Sequence, residues 1–84
     1  MTNDEKKVLV IYRDATGKDE ISRLLRFRDT TLKAVFKGRM KAKLTAIRSL
    51  EKAEMIKTGW LTPAGKMTAD SIPLAVRGGK IMPS

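Results

Sequence analysis

The chain has no cysteine and no histidine. The first absence removes disulfides and thiolate metal sites. The second removes the commonest general base and the commonest metal ligand together. Aromatic residues make up only 5% of the 84 positions, and Tyr12 and Trp60 each stand alone in the sequence. They read as lids on a core rather than as a stacking platform for unpaired bases, which interleaves several aromatics with cations. Long apolar runs are missing too. The longest, Val8-Leu9-Val10-Ile11, falls far below the roughly 20 residues of a membrane span or the roughly 7–15 of a signal peptide. Gly-rich phosphate loops ending in Lys-Ser/Thr are absent, since "ATGKD" (15–19) is too short to be one. These gaps argue against an enzyme and against a bound metal or cofactor. They place the chain in the cytoplasm, at the nucleoid if it binds DNA.

Acidic residues are also scarce: nine against eighteen Lys and Arg, for a net charge of +9. The imbalance is concentrated. Residues 1–20 carry a net −1, residues 21–50 a net +8 with Asp29 as their lone anion, and residues 51–84 a net +2. A block this basic repels itself, and a polyanionic partner relieves the repulsion. With 42% apolar residues the chain has enough for one small core, so it reads as a single folded domain. Its stability is expected to be modest at this size, because short chains bury a smaller share of their surface.

Residues 1–7 read as a charged, flexible lead and 8–84 as the domain. "KVLVIYR" (7–13) is β-branched at its centre and predicts a strand over 8–12. "DATGKDE" (14–20) is turn chemistry, with Asp19 as a helix cap. Ile21, Leu24 and Leu25 then recur at helical spacing with Arg23, Arg26 and Arg28 outside. Asp29-Thr30-Thr31 offers a fresh cap before Leu32, Val35 and Phe36, until Gly38 supplies a stop. Two short helices are expected here, one uninterrupted helix being the rival. The longest helix is expected over 40–55, with Met40, Leu44, Ile47 and Leu50 as its apolar stripe, widened by Ala46 and Ala53. Lys41, Thr45, Arg48 and Lys52 fall within about 60° of one another on another face. "KTGWLTPAG" holds too many turn formers for helix, and Thr62-Pro63 predicts a new helix start. Pro73 ends that helix. The apolar arms around Gly78-Gly79 predict a closing hairpin.

The segment "LTAIRSLEKAEMIKTGWLTPAGK" (44–66) resembles the winged helix-turn-helix DNA-binding regulators of prokaryotes, the MarR and PadR types among them. Leu50-Glu51-Lys52-Ala53-Glu54-Met55-Ile56 stands where that family ends its recognition helix in a Leu-Glu-Lys-x-Gly-Leu-Ile-like run. Leu61-Thr62-Pro63-Ala64-Gly65-Lys66 stands where a Leu-Thr-x-x-Gly-Lys/Arg segment follows the wing. The match spans about residues 29–66. Three features depart from it: Glu54 replaces the usual glycine, only Lys57-Thr58-Gly59 remain for the wing, and Lys33 and Lys37 fall where apolar residues are common. The resemblance implies an α+β, mainly helical fold: a winged helix-turn-helix-like three-helix core, here with a short N-terminal strand and a C-terminal β-hairpin. It implies a small transcriptional regulator of prokaryotic, phage or plasmid origin that places helix 40–55 in the major groove.

The side chains fit that expectation on chemical grounds. Arg48 suits guanine O6 and N7, while Thr45 and Ser49 suit base edges or a thymine methyl. Lys41, Lys43 and Lys52 suit phosphates, as do Arg39, Lys37 and Arg26 from the preceding segment. Arg77 and Lys80 flank the glycine tip, and Arg77 suits a minor groove. The expected partners are double-stranded DNA and a second copy of the chain, since one helix contacts few base pairs and two half-sites are the common solution. The strand 8–12 or the tail 72–82 would join the two copies. Two other readings stay open: an RNA- or ribosome-associated basic protein, and a phage-type protein that binds and modulates a host enzyme.

Overall fold

The computed structural model describes residues 1–15, 21–77 and 80–83, with 21–24 described as backbone. The turn and cap expected over 16–20, the inward face expected for Ile21 and Leu24, and the Gly78-Gly79 tip lie outside the described residues.

The first element is a helix, α1 (Asn3–Asp14), where a flexible lead and a strand were expected. Its start is written in "TNDE". Thr2 Oγ1 accepts the Glu5 backbone N–H at 3.1 Å, and Glu5 Oε1 accepts the Thr2 backbone N–H at 3.2 Å, a reciprocal capping box. Asp4 and Glu5 in the first turn and Arg13 in the last match the helix dipole. Val8, Leu9, Val10 and Ile11 are wholly buried and Tyr12 nearly so. Consecutive residues on a helix step round by about 100°, so a run buried throughout means a helix enclosed on every side. α1 is thus the central rod. A short apolar run reads the same whether it is an interior strand or an enclosed helix.

α2 (Ile21–Val35) is one helix, the rival of the two expected. The fresh cap that Asp29-Thr30-Thr31 offers is not used, because the buried face does not stop there. Arg28 instead points inward, its side chain only 15% exposed. Together with Leu32 and Phe36 it makes a continuous buried face at i, i+4, i+8, which carries the helix past Thr30 and Thr31. The turn 36–38 follows, with Gly38 at φ +75°.

α3 (Met40–Lys52) ends three residues short of the expected Met55. Its end is a Schellman motif: Met55 N–H donates to Leu50 O at 2.9 Å and Glu54 N–H to Glu51 O at 3.0 Å. Glu54 takes the left-handed position at φ +61°, the site where the resembling family has glycine. The helix therefore stops without glycine, at a strain of about 1 kcal/mol or more. The chain turns at once into an antiparallel pair, β1 (Ile56–Lys57) and β2 (Trp60–Leu61). Thr58 and Gly59 between them both have positive φ, 52° and 82°, as the two-residue type I′ hairpin requires.

α4 (Pro63–Asp70) starts as expected, with Thr62 as cap and Pro63 in its first turn. Thr62 Oγ1 accepts the Gly65 N–H at 3.1 Å and donates to the Glu54 carbonyl. Gly65 must be glycine, because a Cβ there would overlap the Met55 carbonyl oxygen. The last hairpin pairs β3 (Leu74–Arg77) with β4 (Lys80–Pro83), Arg77 opposite Lys80, which is the register a two-residue connection gives. The outer edge of β3 is satisfied by the end of α1. Arg13 donates to Ala69 O at 2.8 Å and to Leu74 O, and Asp14 Oδ2 accepts the Val76 N–H at 2.7 Å.

α2, α3, α4 and β3 all pack on α1. Among the described residues the result is four helices and two small hairpins, mainly helical and measuring 30 × 28 × 25 Å. Among the described residues no helix is long and apolar enough to cross a membrane.

Candidate nucleic-acid interface

The side of α3 turned to α1 is lined by Ala46 and Leu50, 4% and 1% exposed, with Ala42, Lys43 and Ile47 half-buried beside them. Lys41, Thr45, Arg48 and Lys52 are all exposed, on the opposite side. Among the described residues Lys41, Arg48 and Lys52 have no carboxylate partner. The ridge runs from Lys41 to Lys52, twelve residues, about 16 Å at 1.5 Å per step.

Three expected side chains of this helix sit differently. Lys43 lies on the flank of the packed face and stands apart from the ridge. Met40 and Leu44, expected in the core, are 46% and 47% exposed. The packed face is centred on Ala46 and Leu50, and Leu44 falls about 160° from Ala46, beside Lys41 and Arg48. Sequence periodicity missed this because Ala42 and Ala46, small enough for close approach to α1, carry the packing that the larger Met40 and Leu44 were assigned.

The acidic start of α1 borders the ridge. Arg39 Nη2 meets the Asp4 carboxylate at 2.8 and 3.1 Å, and its guanidinium lies 5.9 Å from the Phe36 ring. Ser49 Oγ donates to Glu5 Oε2 at 3.3 Å. Arg39 and Ser49, expected to face phosphate and base, are thus turned to carboxylates of the same chain. The Thr2 hydroxyl holds the Glu5 carboxyl below its ordinary range; partial burial opposes this, and the Thr2 backbone and Ser49 add to it. A shallow hollow lined by Thr2, Asp4, Glu5, Thr45 and Ser49 separates the two helices.

Lys37 and Arg26 are exposed on the α2 side, and Arg77 and Lys80 are exposed at the β3–β4 tip. In the hairpin register Arg77 and Lys80 share the outward face with Ala75 and Met82, while Val76 and Ile81 pack against the core. The expected dimer contact through 8–12 is ruled out, because those residues are interior to the monomer. Among the described residues no three carboxylates converge as a metal site would need.

One arginine that composition counted as surface charge is structural. Arg28 Nη1 donates to the Gly59 carbonyl, and its guanidinium lies 4.8 Å from the Tyr12 ring and 5.7 Å from Trp60. It fastens the β1–β2 turn to α1 and α2. Burial pushes the Tyr12 phenol up, so the ring beneath this cation is neutral. No sequence signal separates Arg28 from Arg26; only the i, i+4, i+8 spacing to Leu32 and Phe36 would have placed it inward.

The chain matches no protein-family model, no curated protein and no solved structure.

Proposed function

We propose that this chain binds duplex DNA through the outward face of α3, in a winged helix-turn-helix manner, as a small regulator of transcription or of a related DNA transaction. The observation that carries the reading is the exposed ridge Lys41–Thr45–Arg48–Lys52, whose cations have no carboxylate partner among the described residues, on a helix whose other side is anchored by Ala46 and Leu50. An α-helix about 10–12 Å across fits a major groove about 12 Å wide. α2, a short turn containing Gly38 and α3 follow the helix-turn-helix order. The β1–β2 hairpin directly after α3 stands where a wing would, reduced to its minimum.

On this reading Arg48 pairs with guanine and Lys41 and Lys52 hold phosphates. Leu44 and Thr45 face base edges, where Leu44 suits a thymine methyl. A homodimer on two half-sites would join through the β3–β4 hairpin, the remaining expected contact. The exposed Met40 and Leu44 favour one other reading, in which this face docks on a protein.

Fluorescence anisotropy with labelled duplexes across a salt series tests the assignment. The slope of log K against log[salt] should be about −0.9 per phosphate neutralised. Arg48→Ala should cost about 1–3 kcal/mol on a preferred site and relax base choice there. Lys52→Ala should weaken all duplexes alike and reduce the slope by about one. Variants that bind like the parent would remove α3 from the interface. Tighter binding to structured RNA would favour the RNA-associated alternative, and salt-resistant capture of one protein the host-enzyme alternative.

A further inference from the structure

The outward face of α2 carries charge that the α3 reading leaves unused. Arg26, Thr30 and Lys33 stand at i, i+4 and i+7, so their helical directions agree within about 60°, and Lys37 follows four residues on. All four are exposed, Lys37 in the turn just past the helix. Fifteen residues later Lys41, Thr45, Arg48 and Lys52 repeat the order of cation, threonine, cation, cation at the same spacing, again all exposed. Among the described residues none of these six cations has an ion pair. Asp29, the lone anion of residues 21–50, pairs with Arg28 Nε at 3.4 Å.

The two ridges look outward on different sides. α2 buries Thr31, Leu32 and Phe36 and α3 buries Ala46 and Leu50, and each helix packs on α1 more than on the other. A straight duplex seated on α3 therefore leaves the α2 ridge facing solvent. The ridges also differ at their third position. α3 has Arg48 there, whose planar fork suits base edges, and α2 has Lys33, a point charge suited to phosphate, the one arginine of the α2 ridge being Arg26 at its first position.

We infer that the α2 ridge is a second duplex-binding face, reading backbone and not sequence, so that one chain bridges two DNA segments. This rests on the DNA reading of α3 and adds a second site to it. The test mixes the full chain with a biotinylated and a fluorescent duplex of about 20 base pairs, captures on streptavidin, and counts duplexes bound per chain by sedimentation. The parent should carry fluorescent duplex down. The variant R26A/K33A/K37A should lose that recovery about tenfold and still bind one duplex per chain. Glutamine in place of alanine at the three positions should give the same result, with an unchanged circular dichroism spectrum.

A variant that still bridges would overturn the inference, because bridging would then come from paired chains. So would a variant whose single-duplex salt slope drops by about three, because both ridges would then grip one duplex. A parent that binds one duplex and bridges none rejects this inference and leaves the α3 reading standing. A parent that binds no duplex, or a K41A/R48A/K52A variant that binds like the parent, rejects the α3 reading and this one with it.

Discussion

α1 and α3 are helices of similar length and opposite design. α1 is apolar for a full turn and more, has α2, α3, α4 and β3 against it, and shows solvent little beyond its two ends. α3 anchors itself through Ala46 and Leu50 and leaves a cationic side uncovered. The contrast teaches where stability resides and where surface is left free. A helix enclosed on all sides holds the other elements in place and has no surface to offer. A helix anchored on one side can change its outward residues without disturbing the core.

The sharpest way to break this contrast is to truncate one leucine on each helix. Leu9→Ala should lower stability by about 2–5 kcal/mol, whereas Leu44→Ala should stay within about 0.5 kcal/mol. Denaturant unfolding of both variants measures the difference, and equal losses would mean that α3 is packed on both sides. Next in size is the cap of α1. Thr2→Ala should cost about 1 kcal/mol, because it frees the Glu5 N–H and undoes the capping box. A thermal midpoint that did not move would show the cap to be dispensable.

The contrast also explains what could be read from the residues alone. One-sided elements announce themselves: the ridge of α3, the Thr62-Pro63 start of α4 and the β3–β4 arms all lie where the sequence pattern puts them. Enclosed or cross-braced elements do not. The interior run of α1 has no periodicity left to read, and the signal that would have decided it, Thr2 with Glu5 three residues on, was hidden in a stretch taken for a flexible lead. Arg28 was misassigned because a guanidinium can be buried when rings and a carbonyl receive it. Leu44 was misassigned because two alanines outweighed it in close packing. The pairing of Arg39 with Asp4 and of Ser49 with Glu5 spans 35 and 44 residues, a juxtaposition only the fold creates.

Two smaller effects sharpen the picture at the ends of α3 and α1. Thr58→Asn should raise stability by about 0.5–1 kcal/mol, since asparagine tolerates the left-handed conformation that a β-branched residue resists. An unfolding midpoint that falls would show that the Thr58 Oγ1 bond to Lys57 O at 2.7 Å outweighs the strain. The smallest effect is in acid. The folded pKa of Glu5 lies below its unfolded value, so its contribution is present above the unfolded value and is lost as pH falls through the folded one. Glu5→Gln should flatten the acid limb of a stability–pH profile slightly, and an unchanged limb would show that this carboxylate contributes nothing there.

Gly65 has a consequence for how the end of α3 is held. The residue seats the start of α4 against the Met55 carbonyl, and Thr62 bonds back to Glu54. In this chain the string Leu61-Thr62-Pro63-Ala64-Gly65 therefore works as a joint that folds the β1–β2 hairpin back under the end of α3.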